Sequence, residues 1–490
     1  MFLWKWIIVF LIAILRESLS MIIKYLSFIY GVCMCVEDVI EYLLSKDVDF
    51  CDARFERRYN LSVGVVNGKL RYINTSVSEG ISIRVMIRGA WGYASTTDTS
   101  WDSLRSAADR AYKNAKKLCG RRKLSLDAIT TTTSVKASIK VNPMDVDLED
   151  KIDILMVLDG AQREADNRIA NSNSAYSESI LSFHLANSLG GNVSWEEVRI
   201  RIMAYSLALE AGNIQYSFFV RDGTVGFELI KSIDLNDEGI KVAREAVEML
   251  SAKKPPSGLM TVIVDPSVSG VLAHEVMGHA SEADEVIGKR SFLSGIVGKT
   301  IGSEAVTMID DGTIPGAYGT IPFDSEGTRS SRTIIIENGI YRGYMHSLET
   351  AALMGLKPTG NGRAQDFNRK VFVRMTNTFF EKGDWKLEEI IEDTKEGILA
   401  LKSIGGMEDP VGGGFETRVL RGYIIRNGER RELIRSFTLT GKALEILKTV
   451  DAVSREFELH GGLCGKGEED MIPVSTGGPY MRAKILVGGG

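Results

Sequence analysis

The segment Lys253-Lys254-Pro255-Pro256-Ser257-Gly258 divides this 490-residue chain more sharply than any other. Two successive prolines remove two backbone donors and fix φ, so a helix expected over Gly239–Leu250 ends here. Upstream, helical and strand patterns alternate. Downstream, short apolar runs such as LMTVIVD, RTIIIENGIYRGYMH, VFVRMTN, TRVLRGYIIRNG and AKILVGG are split by Gly and Asn turns, with one helix expected over Gly441–Val450. A chain this long holds two or three domains, each with a sizeable core. The expectation is an α+β protein in three folded parts. These are an N-terminal α/β sandwich-like domain over 34–140, a strand-rich middle domain over 141–254, and a large, mainly antiparallel β domain over 255–490.

In the first part, VEDVIEYLLSK places Val36, Val39, Ile40, Leu43 and Leu44 on one helical face. The strand-like runs ARFERRYNLSVGVV, KLRYIN, ISIRVMI and WGYAST follow, with Asn67-Gly68 as a hairpin turn between the first two. Thr99-x-x-Asp102 reads as a capping box that opens an amphipathic helix through Leu118. A further helix over Leu148–Asp166 precedes long antiparallel strands. Residues 1–33 stand apart as a hydrophobic extension. FLWKWIIVFLIAIL is apolar enough for a signal h-region or a short anchor, yet shorter than the roughly 20 residues of a membrane span. A translation start at Met21 or Met34 is the third reading, and on any of them the folded protein begins at Val36.

Composition excludes some classes. Lys and Arg number 59 against 64 Asp and Glu, a net charge of −5, and no long basic run occurs. Direct, phosphate-driven binding to nucleic acid therefore has no footing. Cys33, Cys35, Cys51, Cys119 and Cys464 include no C-x-x-C pair and do not read as a disulfide framework. A reducing, cytoplasmic compartment is expected, with no membrane association unless residues 1–20 are retained. No glycine-rich dinucleotide or phosphate loop occurs.

The stretch Ala273–His279, AHEVMGH, carries the chemistry. LMTVIVD ends in Asp265, placed to cap a helix whose first turn takes Pro266. The familiar metalloprotease signature spaces its histidines four apart, whereas His274 and His279 are five apart. On a regular helix five residues turn through about 500°, which leaves the two side chains about 140° apart. Either an i→i+5 bulge returns both to one face, with Gly278 tolerating the backbone, or Gly278 ends the helix and His279 folds back from the loop. A catalytic zinc takes three protein ligands and a water. The strongest third candidate is Cys464 in GGLCGKG, a thiolate presented from a glycine turn. The bound water would lose a proton to Glu275 and attack a carbonyl carbon. The plainer readings are a hydrogen-bonded core histidine at His274 or His279, a solvated charge at Glu275, and a small buried hydrophobe at Cys464. His346 and His460 have no partner at ligand spacing and read as structural. Glu282, Asp284 and Glu285 read as solvated, with a ligand or ligand-supporting role as the alternative.

In chain order the His-Glu-x-x-x-His helix is followed by DDGTIPGAYGTIPFDSEG, IIIENGIYRGYMHS, TGNGR, RMTNTFFEKGD, GGGFETRVLRGYIIRNGE, LCGKG and ILVGGG. From about residue 36 to 490 the chain resembles the TldD/PmbA family of metalloproteases, in its zinc-bearing TldD branch. The resemblance implies zinc held by His274, His279 and Cys464, with Glu275 as the catalytic glutamate. It implies cleavage of unfolded peptides held as extended strands in a closed cleft. It also implies a dimer, either with itself or with a PmbA-like paralogue that lacks the zinc motif. Gly360, Asn361 and Arg363, with Gly413, Gly414 and Phe415, are then expected to line the cleft. KVFVRMTNT lacks the prolines usual before this segment in related sequences, and NGRAQDF departs from an arginine-rich, serine- and tyrosine-containing form. Both departures bear on substrate preference rather than on the metal site. Two other classes compete. A non-catalytic subunit that only completes a partner's cleft has no need of all four metal-site residues, and a regulator acting on DNA lacks the charge for direct contact.

Overall fold

The computed structural model describes residues 36–118, 120 and 122–489. The expected extension over 1–33 lies outside the described residues. Helix α1 (36–44) buries Val36, Val39, Ile40 and Leu43, as the apolar spacing dictates. Leu44, expected on the same face, is 55% exposed. It sits about 100° round the helix from Leu43 and falls off the stripe.

Strands β1 (Phe50–Val66) and β2 (Lys69–Ile87) form a long hairpin. Its turn residues Asn67 and Gly68 have φ of 51° and 72°, the geometry that matches the natural twist of paired strands. The runs KLRYIN and ISIRVMI, read separately in the sequence, are one strand. β3 (Ala90–Thr96) pairs with β2, and α2 (Trp101–Leu118) covers that end with Leu104, Ala107, Ala108, Ala111 and Ala115. The start of α2 at Trp101 puts Ser100, not Thr99, in the capping position.

After β4 (Thr132–Val135), α3 (Leu148–Ala165) leads into β5 (Ile169–Asn187), β6 (Asn192–Glu210) and β7 (Asn213–Gly223), then a short α4 (Glu228–Lys231) and α5 (Leu235–Glu248). β5 pairs with β1 from Asp52 to Val66. One seven-stranded sheet therefore crosses the position 140/141, in the order β3-β2-β1-β5-β6, with β4 and β7 both on the far edge of β6. Leu155 and Leu158 of α3 pack on its Tyr176, Ile200, Ile202 and Ala204.

The remainder builds a ten-stranded sheet. Its long strands are β8 (Gly258–Val264), β15 (Glu396–Asp409), β16 (Gly414–Arg426), β17 (Glu429–Lys442) and β19 (Glu469–Gly488). β8 pairs with β15 on one side and β19 on the other, while β19 also pairs with β17. These five strands close on themselves, which removes the open edges a flat sheet would leave. β9 (Met308–Asp311), β10 (Arg332–Glu337), β11 (Ile340–Tyr341) and β14 (Asn377–Phe380) extend the sheet beyond β19. β18 (Ala452–Lys466) forms a hairpin with β19. VFVRMTN supplies only the two-residue β13 (Phe372–Val373), paired with β12 (Gly362–Arg363). The helix expected over Gly441–Val450 is shorter, Ala443–Lys448. A buried ion group ties the two sheets together. Arg84 of β2 reaches Glu326 at 2.7 Å and also pairs with Asp52.

Candidate metal centre

β8 runs straight into the helix that carries the histidines. Asp265 follows it in extended conformation, and its Oδ1 accepts from Val268 N at 2.9 Å, with Pro266 opening α6 (Pro266–Val271). The helix then widens into a π turn over Leu272–Gly278, and His279 N–H donates to His274 O, five residues back. Of the two backbone forms open in the sequence, the bulge is the one adopted. The imidazoles lie face to edge with centroids 5.1 Å apart. Gly278 is needed for room rather than for an unusual φ: a Cβ there would stand 2.1 Å from Met375 Sδ.

Cys464 arrives from β18. Its Sγ lies 3.0 Å from His274 Nε2 and 3.4 Å from His279 Nε2. All three residues are buried, and their donor atoms lie within 4.8 Å of one another. Burial pushes the Cys464 thiol up, but the two imidazoles outweigh it and hold it well below its ordinary range. Burial lowers the imidazoles in turn, yet Cys464 raises His274, and Glu282 with Cys464 raises His279. A lowered thiol favours the thiolate, the form in which a cysteine ligates a metal. Glu275, the next residue after His274, is half-buried beside β15; a methyl on Gly406 would stand 3.1 Å from its Cγ.

A second layer surrounds these residues. Glu282 is fully buried, so the reading of it as a solvated charge is corrected. Its Oε2 lies 3.2 Å from His279 Nδ1 and 2.9 Å from Lys466 Nζ. Burial opposes its ionisation, but Lys466 and His279 outweigh that and hold the carboxyl down to about 2. Asp284 and Glu285 likewise face Lys466 Nζ, at 2.7 and 3.4 Å. Arg374, wholly buried, donates to Cys464 O and pairs with Glu469, each at 2.7 Å. Neither Lys466 nor Arg374 is assigned a role from the sequence alone. The one signal was Lys466 two positions past Cys464 on a strand, where alternate residues share a face.

The other histidines stand elsewhere. His346 is buried against Thr350 and pushed down to about 4 by burial. His460 is half-exposed beside Glu458, and His184 Nε2 meets Asn192 Oδ1 at 2.7 Å. Asn361 Nδ2 donates to Asp310 Oδ2 at 2.8 Å and Arg374 O at 3.0 Å. Arg363 donates to Met375 O at 2.6 Å and Pro473 O at 2.8 Å, and Gly360 lies against the Arg329 carbonyl. Arg363 also lines a cavity of about 380 Å³ between the first sheet and the β18–β19 hairpin, with Trp195, Arg199 and Leu463. Gly413 ends the β15–β16 turn, and Gly414 and Phe415 open β16, with Phe415 in the core. The structure brings His274, His279 and Cys464 together; of the cleft candidates, Asn361 and Arg363 bond to the Arg374–Met375 backbone, and Phe415 shares a core cluster with Cys464.

Three sequence-family models cover most of the chain: PmbA/TldA metallopeptidase domain 1 over residues 51–115, the central domain over 142–254, and the C-terminal domain over 257–489. The chain belongs to the PmbA/TldD metallopeptidase family. A Methanocaldococcus jannaschii protein named as a metalloprotease is 37% identical, across 91% of this chain and 98% of its own length. A Buchnera aphidicola protein named as a metalloprotease TldD homolog is 30% identical, across 92% of this chain and 95% of its own. Within the PmbA/TldD family the chain is thus TldD-like. The crystal structure of TldE from Thermococcus kodakarensis has the same fold: the TM-score is 0.76 at 19% identity, over 93% of this chain and 100% of that one. The PmbA/TldD fold is mixed α+β, as the sequence implied.

Proposed function

We propose that this chain is a zinc-dependent peptidase acting on unfolded or extended peptides. His274, His279 and Cys464 are the metal ligands, and Glu275 is the carboxylate that moves the proton. The observation that carries this reading is the convergence of two Nε2 atoms on one buried cysteine sulfur. Two imidazole nitrogens and one cysteine sulfur are a donor set suited to zinc, and His274, His279 and Cys464 would hold it with three protein ligands, as catalytic zinc sites do. A zinc ion bound there supplies Lewis acidity toward the scissile carbonyl and makes water more acidic. Glu275 takes the proton from the attacking water as its oxygen bonds to the carbonyl carbon, and returns it to the amine nitrogen as the C–N bond breaks. Burial of the three ligand residues keeps competing water from their donor atoms. Free Cys51 and Cys464 fit a reducing cytoplasm, and the acidic composition gives DNA no contact surface. No described helix is long and apolar enough to cross a membrane. A pairing with a PmbA-like paralogue, or with a second copy, is the assembly this reading expects.

Glu275→Gln tests the chemistry. It keeps the bound metal and lowers peptide hydrolysis by about 10²–10⁴-fold, the usual contribution of a general base. Undiminished hydrolysis would assign the activity to another protein and leave this chain a non-catalytic subunit.

A further inference from the structure

We propose that Glu282 and Lys466 are positioning residues of the metal centre. Lys466 pins the Glu282 carboxylate, and that carboxylate fixes His279 with its Nε2 toward Cys464. The proposal rests on the ligand assignment above. His279 has two ring nitrogens with opposite surroundings: Nε2 faces the Cys464 sulfur at 3.4 Å, and Nδ1 faces Glu282 Oε2 at 3.2 Å. An acceptor at Nδ1 keeps the proton on that nitrogen and leaves the Nε2 lone pair for an ion.

A buried carboxylate does this only when its charge is compensated. Lys466 Nζ lies 2.9 Å from Glu282 Oε2, and Arg374 Nε lies 3.9 Å from Oε1. Lys466 is itself held by Asp284 at 2.7 Å and by the Val373 carbonyl at 3.2 Å. It also stands two residues beyond the third ligand on the same strand. The ladder to β19 slips between Cys464 and Lys466, yet Cys464 reaches the metal helix and Lys466 the Glu282–Glu285 segment that follows it. One strand thus delivers the third proposed ligand and the cation that pins the carboxylate beside His279. His274 has no such support: its Nδ1 is buried with no hydrogen-bond partner among the described residues. Its orientation rests on Cys464 and packing.

The test is zinc affinity of the full chain, measured by competition with a chromophoric chelator, alongside the visible spectrum of the cobalt(II)-loaded protein. Glu282→Gln lowers affinity by about 10–100-fold, the usual effect of removing a ligand's supporting partner, and changes the cobalt spectrum. Lys466→Met acts in the same direction, and Lys466→Arg recovers part of the loss. Nitrogen-15 NMR of histidine-labelled, zinc-loaded wild type, which needs no variant to fold, shows His279 protonated at Nδ1. Wild-type affinity in Glu282→Gln, or a bare Nδ1 on His279, overturns the positioning role alone. A wild-type chain that binds no zinc overturns the ligand assignment with it.

Discussion

Cys51 and Cys464 show how much a single residue's surroundings decide. Both are buried, and burial disfavours the thiolate at each. At Cys51 burial prevails and the thiol is pushed up to about 12. At Cys464 two imidazoles within 3.4 Å reverse the outcome. The same scale explains Gly278. Its neighbour is the Met375 sulfur, 2.1 Å from where a Cβ would sit, so Gly278→Ala forces Met375 or the helix to move. The cost is about 1–3 kcal/mol, as for other overpacked cores, and Met375→Ala in the same chain recovers part of it. Chemical denaturation measures both; unchanged or raised stability in Gly278→Ala would contradict the crowding account. The grouping of His274, His279 and Cys464 was legible in the sequence because motif and residue type both pointed to it. Lys466 was not, and for Glu282 a ligand-supporting role stood only as the alternative, since a charge beside a motif reads as solvated until the fold shows that it is buried.

At the scale of elements, the metal helix depends on how it starts and where it widens. Asp265 accepts from Val268 N at 2.9 Å, Ser267 Oγ at 2.7 Å and Lys402 N at 2.8 Å, so one carboxylate both caps α6 and ties it to β15. Asp265→Ala removes the cap and leaves three donors unpaired, one buried and two half-buried. It costs about 1–3 kcal/mol, read as a lower denaturation midpoint; a loss under about 0.5 kcal/mol would show the cap to be dispensable. The cap and Pro266 were legible, as were the Asn67-Gly68 turn and the helix at Leu148, because each is set by local chemistry. Elements that need a distant partner were not. KLRYIN and ISIRVMI fuse because β1 offers one continuous ladder, and VFVRMTN breaks after Val373 because Arg374 turns inward to Glu469 and the Cys464 carbonyl. The π turn was open between two forms, since only packing against Met375 and Cys464 selects one.

Across the whole molecule, the site exists because two ladders share one strand. β19 pairs with β8, which feeds the metal helix at Asp265, and with β18, which carries Cys464. α6 lies so close on β19 that a methyl on Gly270 would stand 2.4 Å from Gly477 N. Alternating apolar patterns announced the strands but carried no information about which would pair. The sheet that crosses 140/141 and the closed five-strand array were therefore invisible in the sequence. The break at Pro255-Pro256 was visible, and the change from one sheet to the other falls there.

Zinc content of the purified full chain, wild type against Cys464→Ala, tests the central claim most directly. The account predicts about one zinc per wild-type chain and loss of most of it in Cys464→Ala with the fold retained. Equal zinc in the two proteins, or none in either, would contradict it.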